Sequence, residues 1–235
     1  MLINIKKYLL VNNYFGKPSF IDFIGKVKGL AILDLGCGTG HITRDLAKMR
    51  GKCIGVDKSE VMIEMAKKAE LIENCGVKYY CLDGIDLKGI RSNSFDIVIL
   101  FQVFMNISKE NEIRKIFEEV QRVLKSKGEI IFSLFHPALI KNYKDNFREI
   151  ILPKNYSYFN NEIHYKAKHL LTDYDWMEFT NTHWTFEFMY NMLKENNFII
   201  EEIKEPIPKK DKYWKYFKSI LHTPHYMFIK AVKKS

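Results

Sequence analysis

The chain has 235 residues, of which 47% are hydrophobic and 28% charged, and its formal net charge is +9. This length favours one domain with an addition, so residues 1–235 are expected to form a single unit. No apolar run approaches the roughly 18–20 residues that span a bilayer, which excludes a membrane-spanning protein. The composition also excludes collagen, a long coiled coil and wholesale disorder.

Cysteine usage indicates the redox compartment. Cys37, Cys53, Cys75 and Cys81 are scattered along the chain, with a spacing that fits neither a CxxC zinc arrangement nor a compact disulfide framework. No small-residue cleavage site follows the apolar N-terminal stretch, so a secretory signal is not expected. The sequence therefore predicts a cytoplasmic protein with free thiols and without a metal site.

The positive charge has two interpretations. A sequence pI near 9.2 is typical of nucleic-acid binders, but only six of the 37 basic residues are Arg and no element carries an independent nucleic-acid signature. A solvated lysine-rich face is therefore the favoured interpretation. The late lysines that motivate the other one are Lys204, Lys209, Lys210, Lys212, Lys215 and Lys218.

Short apolar runs alternate with segments of helical period through the first two thirds of the chain. This alternation predicts a doubly wound α/β fold, a mostly parallel sheet with helices on both faces. The strands are near-continuous apolar runs, as expected for strands buried on both faces. The expected strands are Ala31–Leu35, Lys52–Val56, Val77–Cys81, Phe95–Phe101 and Gly128–Leu134, and the expected helices are His41–Met49, Ser59–Glu73 and Lys109–Leu124.

The alternation stops after His136-Pro137, where a stretch begins that shows no clear period and is rich in aromatic side chains. Regularity returns with a helix at about Thr185–Glu195 and strands at Phe198–Lys204 and Tyr226–Val232. The predicted organisation is an N-terminal helical cap (1–29), a core (30–137), a lid insert (138–184) and the end of the sheet (185–235).

A glycine-rich turn, Asp34-Leu35-Gly36-Cys37-Gly38-Thr39-Gly40, follows the first strand and opens a helix. Glycines let the backbone approach a ligand closely, and the helix N-terminus offers free N–H groups. His41 stands where a dinucleotide fingerprint needs its third glycine. A carboxylate at Asp34 suits a ligand with an amine or a sulfonium better than a pyrophosphate. Asp57 ends the second strand, where an acidic side chain can accept from both hydroxyls of a ribose.

These residues resemble motif I of the class I S-adenosylmethionine (SAM)-dependent methyltransferases, in particular the UbiE or type 11 small-molecule branch. The resemblance covers roughly residues 30–136 with high specificity and 182–231 with moderate specificity. It implies a Rossmann-like sheet of seven strands, mostly parallel with an antiparallel last strand. It also implies SAM as the cofactor and S-adenosylhomocysteine as its product. The match continues in order through Gly55-Val56-Asp57, Leu82-Asp83, Ser94-Phe95-Asp96 and Val123 to Glu129, where the family's usual Pro-Gly is Lys127-Gly128.

The resemblance also implies the cofactor contacts. The glycine backbone would pass around the methionine part of SAM, with Asp34 near its amine, and Asp83 would accept from the adenine amino group. The alternative to a cofactor contact is a helix cap for Asp57 and a turn residue for Asp83. The implied cofactor-binding residues are Asp34, Gly36, Cys37, Gly38, Gly40, Asp57, Lys58, Asp83, Gly84, Ile85, Phe101 and Gln102.

Two histidines are the predicted catalytic residues. Methyl transfer is an in-line displacement from a sulfonium, so positioning and exclusion of water matter more than strong acids or bases. A general base is needed only when the acceptor arrives protonated. His136 follows the fifth strand and His183 precedes the helix at Thr185, and similar members of the branch carry a His at both places. The alternative is a histidine satisfied by neighbouring backbone.

The insert is the predicted acceptor-binding segment. Tyr143–Trp184 holds ten aromatic residues in 42, a density that suits a lid which expels water and shapes a pocket. A local core or a dimer contact is the competing interpretation. The predicted substrate-binding residues are Tyr143, Tyr156, Tyr165, Trp176 and Trp184.

The sequence favours methyl transfer to a small-molecule acceptor by a monomer or a homodimer. RNA is the alternative acceptor because of the +9 charge, and it predicts affinity that falls steeply with salt. DNA is not expected, since no Asn/Asp-Pro-Pro-aromatic motif follows the fourth strand. A nicotinamide dehydrogenase and a non-catalytic cofactor-binding protein on the same fold remain as alternatives.

Overall fold

The computed structural model describes residues 11–139, 143–144, 148–170, 176–208 and 223–234. At residues 11, 139, 143, 144, 148, 169, 170 and 176 only the backbone is described. Residues 1–10 of the predicted cap, and the lysines of the late cluster from Lys209 to Lys218, lie outside the described residues.

Two sheets make up the β-structure of the described residues. Seven strands form the main sheet and four form a separate sheet within the insert. In chain order the strands are β1 (Ala31–Leu35), β2 (Lys52–Asp57), β3 (Lys78–Cys81), β4 (Phe95–Leu100), β5 (Leu124–Phe135), β6 (Tyr143–Lys144), β7 (Arg148–Ile151), β8 (Ile163–Leu170), β9 (Trp176–His183), β10 (Phe198–Lys204) and β11 (Tyr226–Lys233).

The main sheet has the strand order β10-β11-β5-β4-β1-β2-β3. The pairs β1-β2, β1-β4, β2-β3 and β4-β5 are parallel, whereas β11 runs antiparallel to both of its neighbours, β5 and β10. The prediction of a mostly parallel seven-stranded sheet with an antiparallel last strand is confirmed. The strand order reverses between β1 and β4, and a doubly wound sheet opens its ligand crevice at the carboxyl ends of the strands beside such a point.

Helices cover both faces of this sheet, because alternate side chains of each buried strand point to opposite sides. Three helices pack on the face that presents Ile32 and Ile99, and two pack on the face that presents Leu33 and Val98. None of the helices in the described residues is long and apolar enough to cross a membrane. The first group is α1 (Lys17–Ile24), α2 (His41–Lys48) and α3 (Glu60–Glu73), and the second is α4 (Glu110–Val123) and α5 (Phe186–Glu195).

The turn that leads from α4 along β5 departs from the family pattern at one residue. Lys127 has φ 60, a left-handed conformation that costs an L-residue roughly 1–2 kcal/mol. Proline holds φ near about −65° and cannot adopt it. The family's usual proline is therefore incompatible with position 127 as the chain folds here.

The insert forms an antiparallel sheet of its own, in the order β6-β7-β8-β9. Tyr165 and Ala167 of β8 are buried and pack with Ile150 of β7, while the alternate residues His164 and Lys166 are exposed. This alternation has the period of a strand with one covered face. It is short and falls among polar residues, which is why the sequence shows no clear period over residues 138–184.

One connection of the main sheet carries no helix. Residues 82–94, between β3 and β4, run as a series of turns that are held by α4. The N–H of Leu87 donates to Oε2 of Glu119 at 2.8 Å, and Arg122 donates to the carbonyl oxygens of Leu87 and Ile90. Within the described residues, the α4 side of the sheet therefore has no helix over β2 and β3.

Candidate active site

The glycine-rich loop joins β1 to α2 in a conformation that side chains would disfavour. Gly36 and Gly40 have φ 76 and φ 74. A Cβ on Gly36 would lie 2.6 Å from Cγ2 of Val103, and one on Gly40 would overlap a tyrosine ring. The N–H groups of Gly36 and Cys37 donate to the carbonyl oxygen of Val56 at 2.8 and 2.9 Å. The loop is thus held against the carboxyl end of β2, and both positions require glycine.

Asp57 ends β2 and ties the loop to the helix that follows. Its Oδ2 accepts from the N–H of Gly38 at 2.8 Å, and its Oδ1 accepts from the N–H of Ser59 at 2.9 Å. A carboxylate oxygen has two lone pairs, so each oxygen retains one for a ribose hydroxyl. Ser59 is the N-cap of α3, through its Oγ and the N–H of Met62. The carboxylate of Asp57 is therefore not needed as a cap.

Asp34 is a buried carboxyl beneath the loop, only 3% exposed. The hydroxyl of Thr43 donates to it at 2.5 Å. Burial, with a contribution from the charge of Asp57, raises the pKa of Asp34 to about 7. A cation placed beside this carboxyl would favour its ionised form. Burial beside the same two carboxylates also raises the pKa of the Cys37 thiol, so this thiol is neutral at physiological pH.

A cavity of about 280 Å³ opens at the carboxyl ends of β1 to β4. It brings together residues from four separate segments of the chain. Seven of the predicted cofactor residues line it, namely Gly36, Asp57, Lys58, Asp83, Gly84, Ile85 and Gln102. The other five are not among its lining residues, namely Asp34, Cys37, Gly38, Gly40 and Phe101.

The chemistry of this lining fits an adenosyl group. Asp57 and Asp83 supply carboxylate acceptors for ribose hydroxyls and for an exocyclic amine. Leu82, Ile85 and Ile116 supply apolar surface for a planar ring. Oδ1 of Asp83 accepts from the N–H of Ile85 at 3.3 Å, which orients the carboxylate and leaves its other oxygen available.

Other lining residues were missed by reasoning from the sequence. Most belong to the segment after β4 or to the first turns of α4, including Asn106 and Glu112. The available signal was topological, because the connection after β4 starts at the same sheet edge as the glycine loop. The missed residues are Leu35, Ser59, Leu82, Val103, Asn106, Ile107, Glu112 and Ile116.

Gln102 is held in a strained conformation beside the cavity. Its φ is 57, which is uncommon for a residue with a side chain. Its N–H donates to Oγ of Ser133 at 2.7 Å, and its carbonyl oxygen accepts from Asn106 at 2.8 Å. Its side chain accepts from Asn12 at 3.2 Å and donates to the hydroxyl of Tyr226 at 3.3 Å. A strained backbone conformation that four hydrogen bonds hold in place is typical of ligand-binding sites.

A second, much smaller cavity of about 20 Å³ lies between β5 and the insert sheet. Tyr165 and Trp184, two of the predicted substrate-binding residues, contribute to it. Nε1 of Trp184 donates to the carbonyl oxygen of Phe104 at 3.0 Å, which anchors the end of the insert beside the cofactor cavity. The lining residues are Met105, Ser133, Leu134, Phe135, Tyr165, Thr182 and Trp184.

Tyr156, a third predicted substrate-binding residue, does not line this cavity. Tyr156 packs against His183, with ring centroids 5.4 Å apart, and burial raises the pKa of its hydroxyl to about 12. Tyr143 and Trp176 lie in β6 and β9, and their side chains are outside the described part of the chain.

His183 ends β9 and is fully buried. Its ring lies between those of Tyr156 and Tyr158, and Nε2 is 2.8 Å from the carbonyl oxygen of Tyr158. Nε2 therefore carries a proton and donates it to this bond, and burial lowers the pKa of the imidazole. Nδ1 is buried and has no hydrogen-bond partner among the described residues. His183 is thus a neutral histidine that lines neither cavity.

His136 lies just beyond β5, at the expected edge of the sheet. Its Nδ1 accepts from the N–H of Ala138 at 3.1 Å, so Nε2 carries the proton and donates to Oε1 of Glu205 at 2.7 Å. Both ring nitrogens are occupied in this arrangement. His136 would act as a base only after one of these bonds opened.

Comparisons with known proteins agree with this geometry. A family model described as a methyltransferase domain matches residues 33–132. The chain is 30% identical over 236 residues to an uncharacterized protein of Haemophilus influenzae, covering 95% of this chain and 89% of that protein. It is 34% identical over 160 residues to the demethylmenaquinone methyltransferase of Lactococcus lactis, covering 66% of this chain and 60% of that enzyme.

Solved structures match over nearly the whole chain. A SAM-dependent methyltransferase from Clostridium acetobutylicum superposes with a TM-score of 0.69 at 18% identity, covering 97% of this chain and 96% of that one. One from Mesorhizobium loti does so with a TM-score of 0.67 at 20% identity, covering 92% and 96%. At such identities these matches establish the fold. The methyltransferase domain model and the sequence relatives, together with the glycine loop, place the chain among the class I, type 11 methyltransferases, which use SAM as their cofactor.

Proposed function

We propose that this protein transfers the methyl group of SAM to a small-molecule acceptor held between the carboxyl edge of the main sheet and the insert sheet. The observation that carries the proposal is the adjacency of the two cavities. Gln102 lines the larger cavity, Ser133 lines the smaller one, and the two residues are joined by a hydrogen bond of 2.7 Å. Donor and acceptor sites that share a wall suit an in-line displacement.

The cofactor roles proposed for single residues are those that the resemblance to the family implies. Asp57 accepts from the ribose hydroxyls, Asp83 accepts from the adenine amino group, and Asp34 faces the cationic methionine end. SAM supplies an electrophilic methyl group on a sulfonium. The buried Asp34 carboxyl, whose pKa is about 7, is expected to become ionised as that cation binds, which adds a charge interaction in a site of low dielectric.

The acceptor side suits a small, largely apolar molecule with one polar end. Met105, Leu134 and Trp184 supply apolar surface, while Ser133 and Thr182 supply hydroxyls. A volume of about 20 Å³ is too small for an acceptor, so binding of an acceptor there requires the cavity to widen. The names of two relatives, demethylmenaquinone methyltransferase and ubiquinone biosynthesis O-methyltransferase, denote small-molecule reactions and support this acceptor class.

A general base, where the acceptor needs one, is assigned to His136 or His183. If His136 is the base, its replacement by Ala should lower kcat at least about a hundredfold and leave the affinity for S-adenosylhomocysteine unchanged. The same comparison for His183→Ala includes a thermal melt, because His183 is fully buried and its loss also removes packing. Equal losses of turnover and of cofactor affinity would contradict a base role for either residue.

The proposal is tested by screening acceptors for release of S-adenosylhomocysteine by the pure protein, with quinols, phenols, amines and bulk RNA as separate arms. We expect release with one small-molecule class and salt-insensitive kinetics. Release with RNA alone, weakened steeply by salt, would support the alternative acceptor that the +9 charge suggests. The Asp57→Ala variant is the negative control for cofactor-dependent signal.

A further inference from the structure

A groove separate from the candidate active site lies on the α4 side of the main sheet. It measures about 770 Å³, and we call it the β3 groove. Its floor is formed by Ala31, Ile54 and Tyr80 of strands β1 to β3, and its opposite wall by Ile90 and Arg91 of the β3-β4 connection. The groove exists because that connection carries no helix to cover the sheet at this place.

The groove and the cofactor cavity occupy different ends of β1 and β2, and the groove extends along β3 as far as Leu82. The cofactor cavity is lined by residues at the carboxyl ends, such as Leu35 and Asp57. The β3 groove is lined by residues at the amino ends, such as Ala31 and Lys52. Leu82 is the one residue that lines both. A molecule in the groove therefore lies behind a shared wall, away from the site of methyl transfer.

The rim of the groove is strongly basic. Lys52, Lys78, Lys88 and Arg91 line it, all four are exposed, and the lining includes no Asp or Glu. None of the four forms an ion pair within the described residues. Asp96, a carboxylate whose pKa Lys52 helps to lower, is instead paired with another lysine. Four cations therefore line one groove, and of these Lys52 interacts with the nearby carboxylate of Asp96 without forming an ion pair.

The floor between these cations is apolar and includes an accessible aromatic ring. Tyr80 is 40% exposed although it lies in a strand of the main sheet. Ile54, Leu82 and Ile90 surround it with partly buried apolar surface. An exposed aromatic ring on an apolar floor is a surface on which a planar ring can stack.

We propose that the β3 groove binds a nucleotide, with its phosphates on the basic rim and its base on Tyr80 and the apolar floor. Guanidinium and ammonium groups are the preferred protein partners of phosphate oxygens. The base of the nucleotide would stack on the Tyr80 ring, since bases stack on aromatic side chains. The nucleotide is either free or part of an RNA strand, and both sources present the same phosphate and ring chemistry.

The test measures binding of uridine triphosphate and of a short oligouridylate to protein saturated with S-adenosylhomocysteine. Saturation blocks the adenosyl cavity, so any binding reports on another site. We expect both probes to bind, and the Lys78→Glu, Arg91→Glu double variant to weaken both by about tenfold or more. Tighter binding of the oligomer identifies an RNA strand as the source, and tighter binding of the triphosphate identifies a free nucleotide.

The matched control is the Lys67→Glu, Lys68→Glu double variant, which makes the same change of charge on exposed positions of α3. It should leave the affinity for the triphosphate within about twofold of wild type. Both double variants should bind S-adenosylhomocysteine as wild type does, which shows that they are folded. Equal weakening by both pairs would mean diffuse attraction to a basic protein and would overturn the proposal.

Tyr80→Ala separates the base from the phosphates. It should weaken the binding of uridine triphosphate by about tenfold, because the base loses its stacking partner, and leave the binding of inorganic tripolyphosphate unchanged. Equal affinity of wild type and Tyr80→Ala for the nucleotide would contradict a base on the groove floor. Absence of nucleotide binding to the wild type, or equally tight binding of polyglutamate, would overturn the proposal as a whole.

Discussion

At the scale of single residues, Asp57 has two roles, because its carboxylate lines the cofactor cavity and also holds the glycine-rich loop in place. It accepts from Gly38 and from Ser59. Replacing it with Ala removes the proposed ribose acceptors and releases the N–H of Gly38 at the same time.

Asp57→Ala is therefore expected to weaken the binding of S-adenosylhomocysteine at least about a hundredfold, because hydrogen bonds to charged groups contribute roughly 1.5–3 kcal/mol each. Isothermal titration calorimetry measures the change. Glu64→Ala, on the exposed side of α3, is the control and should bind as wild type does. Undiminished binding by Asp57→Ala would remove this residue from the site.

Asp34 makes the stability of the ligand-free protein depend on pH. Its pKa is about 7 in the folded chain, against an ordinary value of 3.8. Between these values the folded protein retains a proton that the unfolded chain has lost. The contribution of this carboxyl to stability is therefore present below about pH 4 and is lost as the pH rises through 7.

Asp34→Asn keeps the shape of the side chain and removes this titration. The free energy of unfolding of wild type, relative to the variant, should fall between pH 4 and pH 7, by at most about 4 kcal/mol. Urea denaturation at a series of pH values measures it. A difference that stays constant with pH would show that Asp34 is ionised throughout.

At the scale of elements, Trp184 is one of the residues that connect the insert sheet to the core. Trp184 follows β9, donates to the carbonyl oxygen of Phe104 and stacks on Phe188 of α5 with ring centroids 5.1 Å apart. On the other side, Phe135 of β5 packs against the small cluster of the insert. The indole therefore ties the end of β9 to the core.

Trp184→Phe retains an aromatic ring but leaves the carbonyl oxygen of Phe104 without this donor. We expect the free energy of unfolding to fall by about 1–3 kcal/mol, with faster hydrogen exchange in β8 and β9 than in β4. Exchange monitored by mass spectrometry would show it. Uniform acceleration across both sheets would mean that the indole supports the whole fold and not the insert in particular.

Cofactor binding is expected to stabilise the whole molecule, because the cofactor cavity joins segments that follow four different strands. At a concentration of one hundred times its Kd, S-adenosylhomocysteine should raise the free energy of unfolding by about 2.7 kcal/mol. A thermal melt at increasing ligand concentration measures this. At the same concentrations Asp57→Ala should show almost no shift, and an equal shift would mean that the ligand binds elsewhere.

Much of the fold and of the cofactor site is evident in local patterns. The apolar run of β4 is buried along nearly its whole length, so its residues alone specify a central strand. Gly36 and Asp57 are local as well, since each stands at the end of a strand whose position the sequence shows. Patterns of this kind depend on a few neighbouring residues and not on how distant segments meet.

The insert and the acceptor side are different. His183 and Tyr165 both have side chains that could bind or act on a substrate, but burial and hydrogen bonding decide what each can do. Packing places the His183 ring between two tyrosines. Ile163 of β8 is the cross-strand partner of His183, and Tyr165, two residues further along β8, lines the small cavity. The sequence alone could not separate them.

By itself the sequence determined the doubly wound sheet, the SAM family and the glycine loop, because buried parallel strands and positive-φ glycines leave local signatures. Only the tertiary structure decided that the insert is a second sheet, that both candidate bases are already hydrogen-bonded, and that a basic groove lies behind the cofactor site. Each of these depends on which side chains from distant segments come to share one space. That is settled by packing between elements, which no local pattern records.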